Sequence, residues 1–202
     1  MNSPTHTLMA MAAFSKKGQP LRNWAVFIGS LIPDAFIYFA WVWLTFIKGE
    51  SQRRIWDEIY FQAPMQLTAS IFNSVPLYAL LGFIGYVMWR AKDRWAPYAL
   101  LLLVFALAAL LHITFDFPVH NHDAYAHFWP ISEWRFISPL SYYEREHHAG
   151  FVGVVECLLA LGAIYVLWKR FPAKWVRRVL ILFGSLYLLL QLAFWLGPIV
   201  GG

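Results

Sequence analysis

Five apolar runs, each about the 20 residues that a helix needs to cross the hydrocarbon of a bilayer, dominate this 202-residue chain. They are Asn23–Ile47, Ile71–Trp89, Ala96–Phe115, Gly150–Trp168 and Val176–Val200. Hydrophobic residues make up 60% of the sequence and charged residues 13%, against roughly 45–50% and 25% in soluble domains. A domain this small cannot hide so much apolar surface in a core, so lipid is the expected solvent. A β-barrel would show alternating strands of about ten residues, and the sequence has no such pattern. The expected fold is all-α: a polytopic membrane helical bundle forming one integral membrane domain over residues 1–202. It has about five transmembrane helices, a short N-terminal helix at Thr5–Ser15 and a long His/Asp-rich loop. The N-terminal helix is too short to cross alone and is expected at the interface or folded back as a re-entrant piece. No Lys or Arg precedes the apolar stretch Leu8–Phe14, so this segment is expected to stay on the protein rather than leave as a signal peptide.

The connections set the expected orientation. Residues 1–22, 90–95 and 169–178 carry eleven of the sixteen basic side chains. With five spans these regions share one side, which the positive-inside bias places in the cytoplasm. Lys48, Arg53, Arg54, Arg135 and Arg145 lie in the other two connections, 48–70 and 116–149, which are expected to face outward. The net charge of +5 is thus spread over short loops, not gathered on one polar face, and nucleic acid is not an expected partner. The single cysteine, Cys157, excludes an internal disulfide and any multi-cysteine zinc site, and reads as a small buried hydrophobe.

Chemistry concentrates at the end of the third run. The stretch HITFDFPVHNHDAYAH holds His112, His120, His122 and His127 with Asp116 and Asp123. His147 and His148 follow, and His6 stands alone near the N-terminus. Neutral imidazole and carboxylate are the usual donors to zinc and related divalent metals. His112 and Asp116 are four apart and share a helix face, as do Asp123 and His127. Pro118 should bend the chain between the two pairs. A group of six histidines beside two aspartates favours a metal site over a solvated or pH-sensing cluster. Two carboxylates lie inside the apolar runs, Asp34 after Pro33 and Glu156 in the fourth. A charge at such depth costs roughly 2.5–3.5 kcal/mol, which makes function its default explanation. Alternatively, Asp34 caps a helix that starts at Pro33, with the first span broken in two. Glu156 could share a face with His148. His6 falls on the cytoplasmic side by simple topology and can join the cluster only through a re-entrant first segment ending at Pro33. The aromatic segment 128–143, and Trp56, Tyr60 and Phe61, could roof a site or anchor at the interface.

His6, the GSLIPD turn with Asp34, and the HITFD helix end with His112 and Asp116 resemble the membrane-bound metal-dependent hydrolases, a family broadly related to zinc-dependent phospholipase C. The segments DFPVHNHD, HFWP and SPLSYYEREHH resemble small bacterial membrane proteins labelled CobQ-like, although no amidotransferase or nucleotide-binding motif is present. His112, Asp116 and His122 match a His-x3-Asp-x5-His spacing similar to one metal-binding run of the phospholipases. The His-x3-Glu pair that continues their pattern is missing after His147 and His148. The resemblance implies hydrolysis without naming a substrate.

The expected function is a metal-dependent hydrolase of the bacterial inner membrane, acting on a phosphoester or other ester of a lipid or lipid-linked molecule. The metal, zinc first and manganese or iron next, would be held by His112, Asp116 and His122 or His127, with Asp34 and His6. His120, His147 and His148 complete the candidate donors. Asp123 or Glu156 is the expected general base. Two alternatives remain open at this stage. One is a metal- or proton-linked transporter, whose ion path such residues also line. The other is a non-enzymatic subunit with a structural metal site.

Overall fold

A computed structural model describes the backbone of residues 1–200 and the side chains of residues 1–193. The side chains of the last expected span beyond 193 lie outside the described residues. The architecture is all-α, with no strand among the described residues. Five helical stretches are long and apolar enough to cross a membrane: Pro20–Ile47, Ala63–Arg90, Ala96–Val119, Ala149–Arg170 and Lys174–Ala193. Their outer faces carry large bare hydrophobics such as Phe39, Phe83, Leu158 and Leu189. So broad an apolar surface fits a membrane protein and not one dissolved in water.

Helix α1 (Ser3–Phe14) is the centre of the assembly. It packs against α2 (Pro20–Val42), α6 (Ala96–Asp116) and α7 (Ala149–Arg170). Helix α5 (Val75–Arg90) completes one side of the bundle against α6, and α8 (Lys174–Val200) the other against α7. With no one-sided apolar stripe, and with Ser3, Thr5 and His6 buried as well as Leu8, Met9 and Ala10, α1 suits this wedged position. Leu8 and Met9 join the α7–α8 core, while Ala10 meets Val26, Val104 and Ala108 of α2 and α6. Helix α6 offers small residues, Ala99, Ala106, Ala108 and Ala109, so its neighbours approach closely.

Two expectations about the helices need correction. Pro33 does not break the first span: α2 runs continuously from Pro20 through Pro33 to Val42 and widens into a π-helical turn at Trp43–Ile47. Asp34 therefore lies inside the helix and caps nothing. Neighbouring side chains bond α2 carbonyls around the proline. The Ser30 carbonyl accepts His112 Nδ1 at 2.7 Å, and the Pro33 carbonyl accepts Asn73 Nδ2 at 3.1 Å. The second correction concerns 48–70, which is largely helical. A short α3 (Gln52–Arg54) leads through a π turn at Ile55–Ile59 to α4 (Ala63–Phe72). The second span is thus α4 plus α5, interrupted at Asn73–Ser74. Pro76 cannot continue α4, so Ser74 caps α5 through Leu77 N–H at 3.2 Å. The Val75 N–H freed by the break goes to the His127 carbonyl at 2.8 Å.

Candidate metal centre and its cavity

The site forms where the N-terminus of α1 meets the C-terminus of α6. Arg170 Nη1 donates to the Met11 and Ser15 carbonyls at 3.1 and 2.9 Å, which fixes the far end of α1 beside the 171–173 connection, itself flanked by Lys169, Arg170 and Lys174. Twelve helical residues climb about 18 Å, so α1 carries its first turn roughly halfway through the bundle. This is how His6 reaches Asp116. The helix folds back as a whole after Phe14, and no break at Pro33 is involved.

His6, His112 and Asp116 are buried and bring one donor atom each to within 4.8 Å of one another. His6 Nε2 lies 2.9 Å from Asp116 Oδ1, and the His6 and His112 rings stack with centroids 3.8 Å apart. His112 Nδ1 donates to the Ser30 carbonyl, which leaves the Nε2 lone pair turned to the carboxylates. Nε2 sits 3.0 Å from Asp116 Oδ2 and 3.6 Å from Asp34 Oδ1, yet it has no hydrogen-bond partner. An orphaned, fully buried imidazole nitrogen facing two carboxylates is the donor set that a divalent cation completes. The tautomer-fixing bond from the other ring nitrogen is what metal-ligating histidines ordinarily have. Asp116 also pairs with the Met1 ammonium at 2.5 Å, so a cation already rests on this carboxylate.

Asp34 stands at the edge of the group, its Oδ2 accepting from Ser3 Oγ. His120 approaches from the loop, Nε2 at 3.6 Å from Asp116 Oδ1 and Nδ1 at 2.8 Å from Asp123 Oδ2. Burial alone would drive the His120 imidazole down, but the Asp116 and Asp123 carboxylates outweigh it and hold its pKa at about 9. Asp123 Oδ1 and His120 Nε2 are buried without partners.

The remaining predicted residues divide differently. His122 is exposed, edge-on to Phe61 with centroids 4.7 Å apart, so the expected His112–Asp116–His122 set gives way to His112, Asp116 and His6, with His120 alongside. The physical reason is the 3-10 turn at Phe117–Val119, which brings His120 and not His122 back over Asp116. His127 binds the α4–α5 break instead, its Nδ1 at 3.1 Å from the Asn73 carbonyl. His147 lies 3.6 Å from Glu144, and His148 is exposed at the start of α7; neither meets the cluster. Glu156, expected as a base, is occupied. One of its oxygens accepts the Asn2 N–H at 2.9 Å and Thr5 Oγ1 at 2.5 Å, and the Asn2 amide bridges both oxygens at 3.0 Å. It anchors the positive end of α1, where a carboxylate is favoured, and it does not share a site with His148.

A cavity of about 720 Å³ lies beside the cluster. Asp34, Asp116, His120 and Asp123 form part of its wall, and Glu156 does not. Trp56, Tyr60 and Phe61 line it as expected, but only Tyr142 and Tyr143 of the segment 128–143 do. Phe128, Trp134 and Phe136 pack on Phe117 instead. Burial pushes the Tyr60 phenol up to about 12 and holds Tyr125 well above the usual phenol range, so both remain neutral hydrogen-bond donors. Ser3, Tyr38 and Tyr125 belong to this wall and were not singled out from the sequence, where lone serines and tyrosines carry no spacing signal. Compared with protein-family models, curated proteins and solved structures, the chain finds no match.

Proposed function

We infer that the protein is a metal-dependent hydrolase that cleaves a phosphoester or other ester of a lipid or lipid-linked molecule at the membrane. The observation that carries this inference is the orphaned His112 Nε2, held toward Asp116 and Asp34 beside His6 and next to a cavity of about 720 Å³. His6, His112 and Asp116 would hold the metal, with Asp34 and His120 within reach of the same group. Zinc suits two imidazoles and a carboxylate, and manganese or iron are the next choices. Such a metal would polarise an ester oxygen and acidify a water.

The chain's own groups then have separate tasks. The Ser30 carbonyl keeps the His112 ring in one tautomer. Asp123 orients His120 through Nδ1, and its other oxygen, Oδ1, is a buried acceptor without a partner that would serve as the general base. Tyr60 and Tyr125 offer neutral donors to a bound oxygen. The cavity is built from the connections opposite the basic ones, so by the positive-inside bias it faces the periplasm of a bacterial inner membrane.

Purified protein in liposomes, loaded with zinc and given a panel of phospholipids, tests this. Head-group or acyl release should stop with a chelator, return with zinc, and be lost in His112→Ala. Zinc flux without release of any product would contradict hydrolysis and favour the transporter.

A further inference from the structure

An apolar groove of about 230 Å³ runs along α2, lined by Ile37, Tyr38, Trp41 and Trp56. Ile37, Tyr38 and Trp56 also line the large cavity, so the two spaces are adjacent and share a wall. The chemistry changes along this path. Asp34 and the Tyr38 hydroxyl, 2.7 Å from Ser3 Oγ, mark its polar end. Near its other end, Phe39 and Val42 of α2 and Phe46 of the π turn that follows are exposed. Trp41 Nε1 donates to Gln52 Oε1 at 2.8 Å, and Gln52 Nε2 to Thr45 Oγ1 at 3.1 Å. These bonds pin the 50s segment to α2 and hold the groove's two sides in place.

The cavity end is acidic. Asp34, Asp57, Asp116, Asp123 and Glu144 face two histidines and the Met1 ammonium, with no Lys or Arg in the wall among the described residues. Aromatic rings stand among the carboxylates. Such a lining attracts an ammonium group through both charge and ring faces, and repels a head whose only charge is negative. His120 Nε2 and Asp123 Oδ1, of two wall residues, are buried without partners, which leaves unmet polar capacity beside the cavity.

We propose that cavity and groove together bind one membrane lipid, its amine-bearing head group in the acidic cavity and one hydrocarbon chain leaving through the Ile37–Trp41–Trp56 groove into the bilayer. This rests on the lipid-ester assignment for the head-group end and specifies its substrate class; the groove end stands on its own geometry.

The test uses full-length protein in liposomes of phosphatidylethanolamine or of phosphatidylglycerol, each doped with the same lipid carrying a diazirine in one acyl chain. After illumination, adducts are mapped by peptide mass spectrometry. With the ethanolamine probe, labelling of residues 37–41 and 56 should exceed that of the exposed Phe83 and Leu189 by about tenfold, the factor that about 1.4 kcal/mol of preference gives. Ile37→Trp, which fills the groove, should remove this excess, and Ile37→Ala, which widens it, should keep it. Even labelling along the helices would overturn the proposal, and equal focusing of both lipids would overturn the amine-head assignment. Zinc content of the same samples separates the two inferences. Focused ethanolamine labelling in protein that binds no zinc supports the lipid site and removes the hydrolase. Even labelling in zinc-loaded protein overturns the lipid site and leaves the metal centre standing.

Discussion

Asp116→Ala should destabilise the protein by about 3–5 kcal/mol, the cost of stripping one partner from a buried charge group, and should abolish turnover. Asp116 is only 2% exposed and meets the Met1 ammonium, His6, His112 and His120. Its removal leaves the ammonium and the imidazoles at depth without the one acid that all of them touch. Denaturant unfolding in detergent reads the loss directly. Asp34→Ala should cost less, because the Asp34 side chain is 17% exposed and sits at the edge of the group. Equal effects at the two positions would contradict the assignment of Asp116 as the shared centre.

The second large effect is expected at a residue that has no side chain. A Cβ at Gly29 would stand 2.3 Å from the Phe105 carbonyl oxygen and 2.9 Å from that residue's carbonyl carbon and Cα. Every one of these atoms is backbone, so no rotamer change relieves the clash, and α2 and α6 must separate. Gly29→Val should cost about 3 kcal/mol, the upper end for overpacking. The next residue is Ser30, whose carbonyl fixes the His112 ring, so separation of the helices should also weaken zinc binding by about tenfold or more. Gly162, with open space around it, is the control. There alanine should be neutral or stabilise by about 0.5–1 kcal/mol, since glycine is a poor helix residue. Lost stability with unchanged zinc affinity in Gly29→Val would mean that the Ser30 bond does not matter to the site.

These effects show where the sequence was readable. The five spans were legible because 20-residue apolar runs have few soluble explanations. His112 and Asp116 were legible as a pair because four residues on a helix return to one face. His6 was legible only as a residue worth suspecting. Its place depends on α1 folding back between α2, α6 and α7, a tertiary event that no local pattern records. His120 and His122 part company for a related reason. Spacing pointed to His122, whereas the turn around Pro118 resets the register and brings His120 over Asp116. Glu156 illustrates a different limit. Insertion cost marks a buried carboxylate as important but does not distinguish chemistry from structure, and here the acid holds the start of α1. The interrupted second span followed from Pro76, whose consequence became visible only with the His127 carbonyl that accepts the freed N–H.

The most direct test of the metal centre is the zinc content of the purified, still-folded protein by mass spectrometry, in the parent, His6→Ala and His122→Ala. The geometry predicts about one zinc per chain in the parent and in His122→Ala, and at least a tenfold loss of occupancy in His6→Ala at limiting zinc. A parent that takes up no zinc, manganese or iron, or a His6→Ala protein that keeps its metal while His122→Ala loses it, would contradict the site.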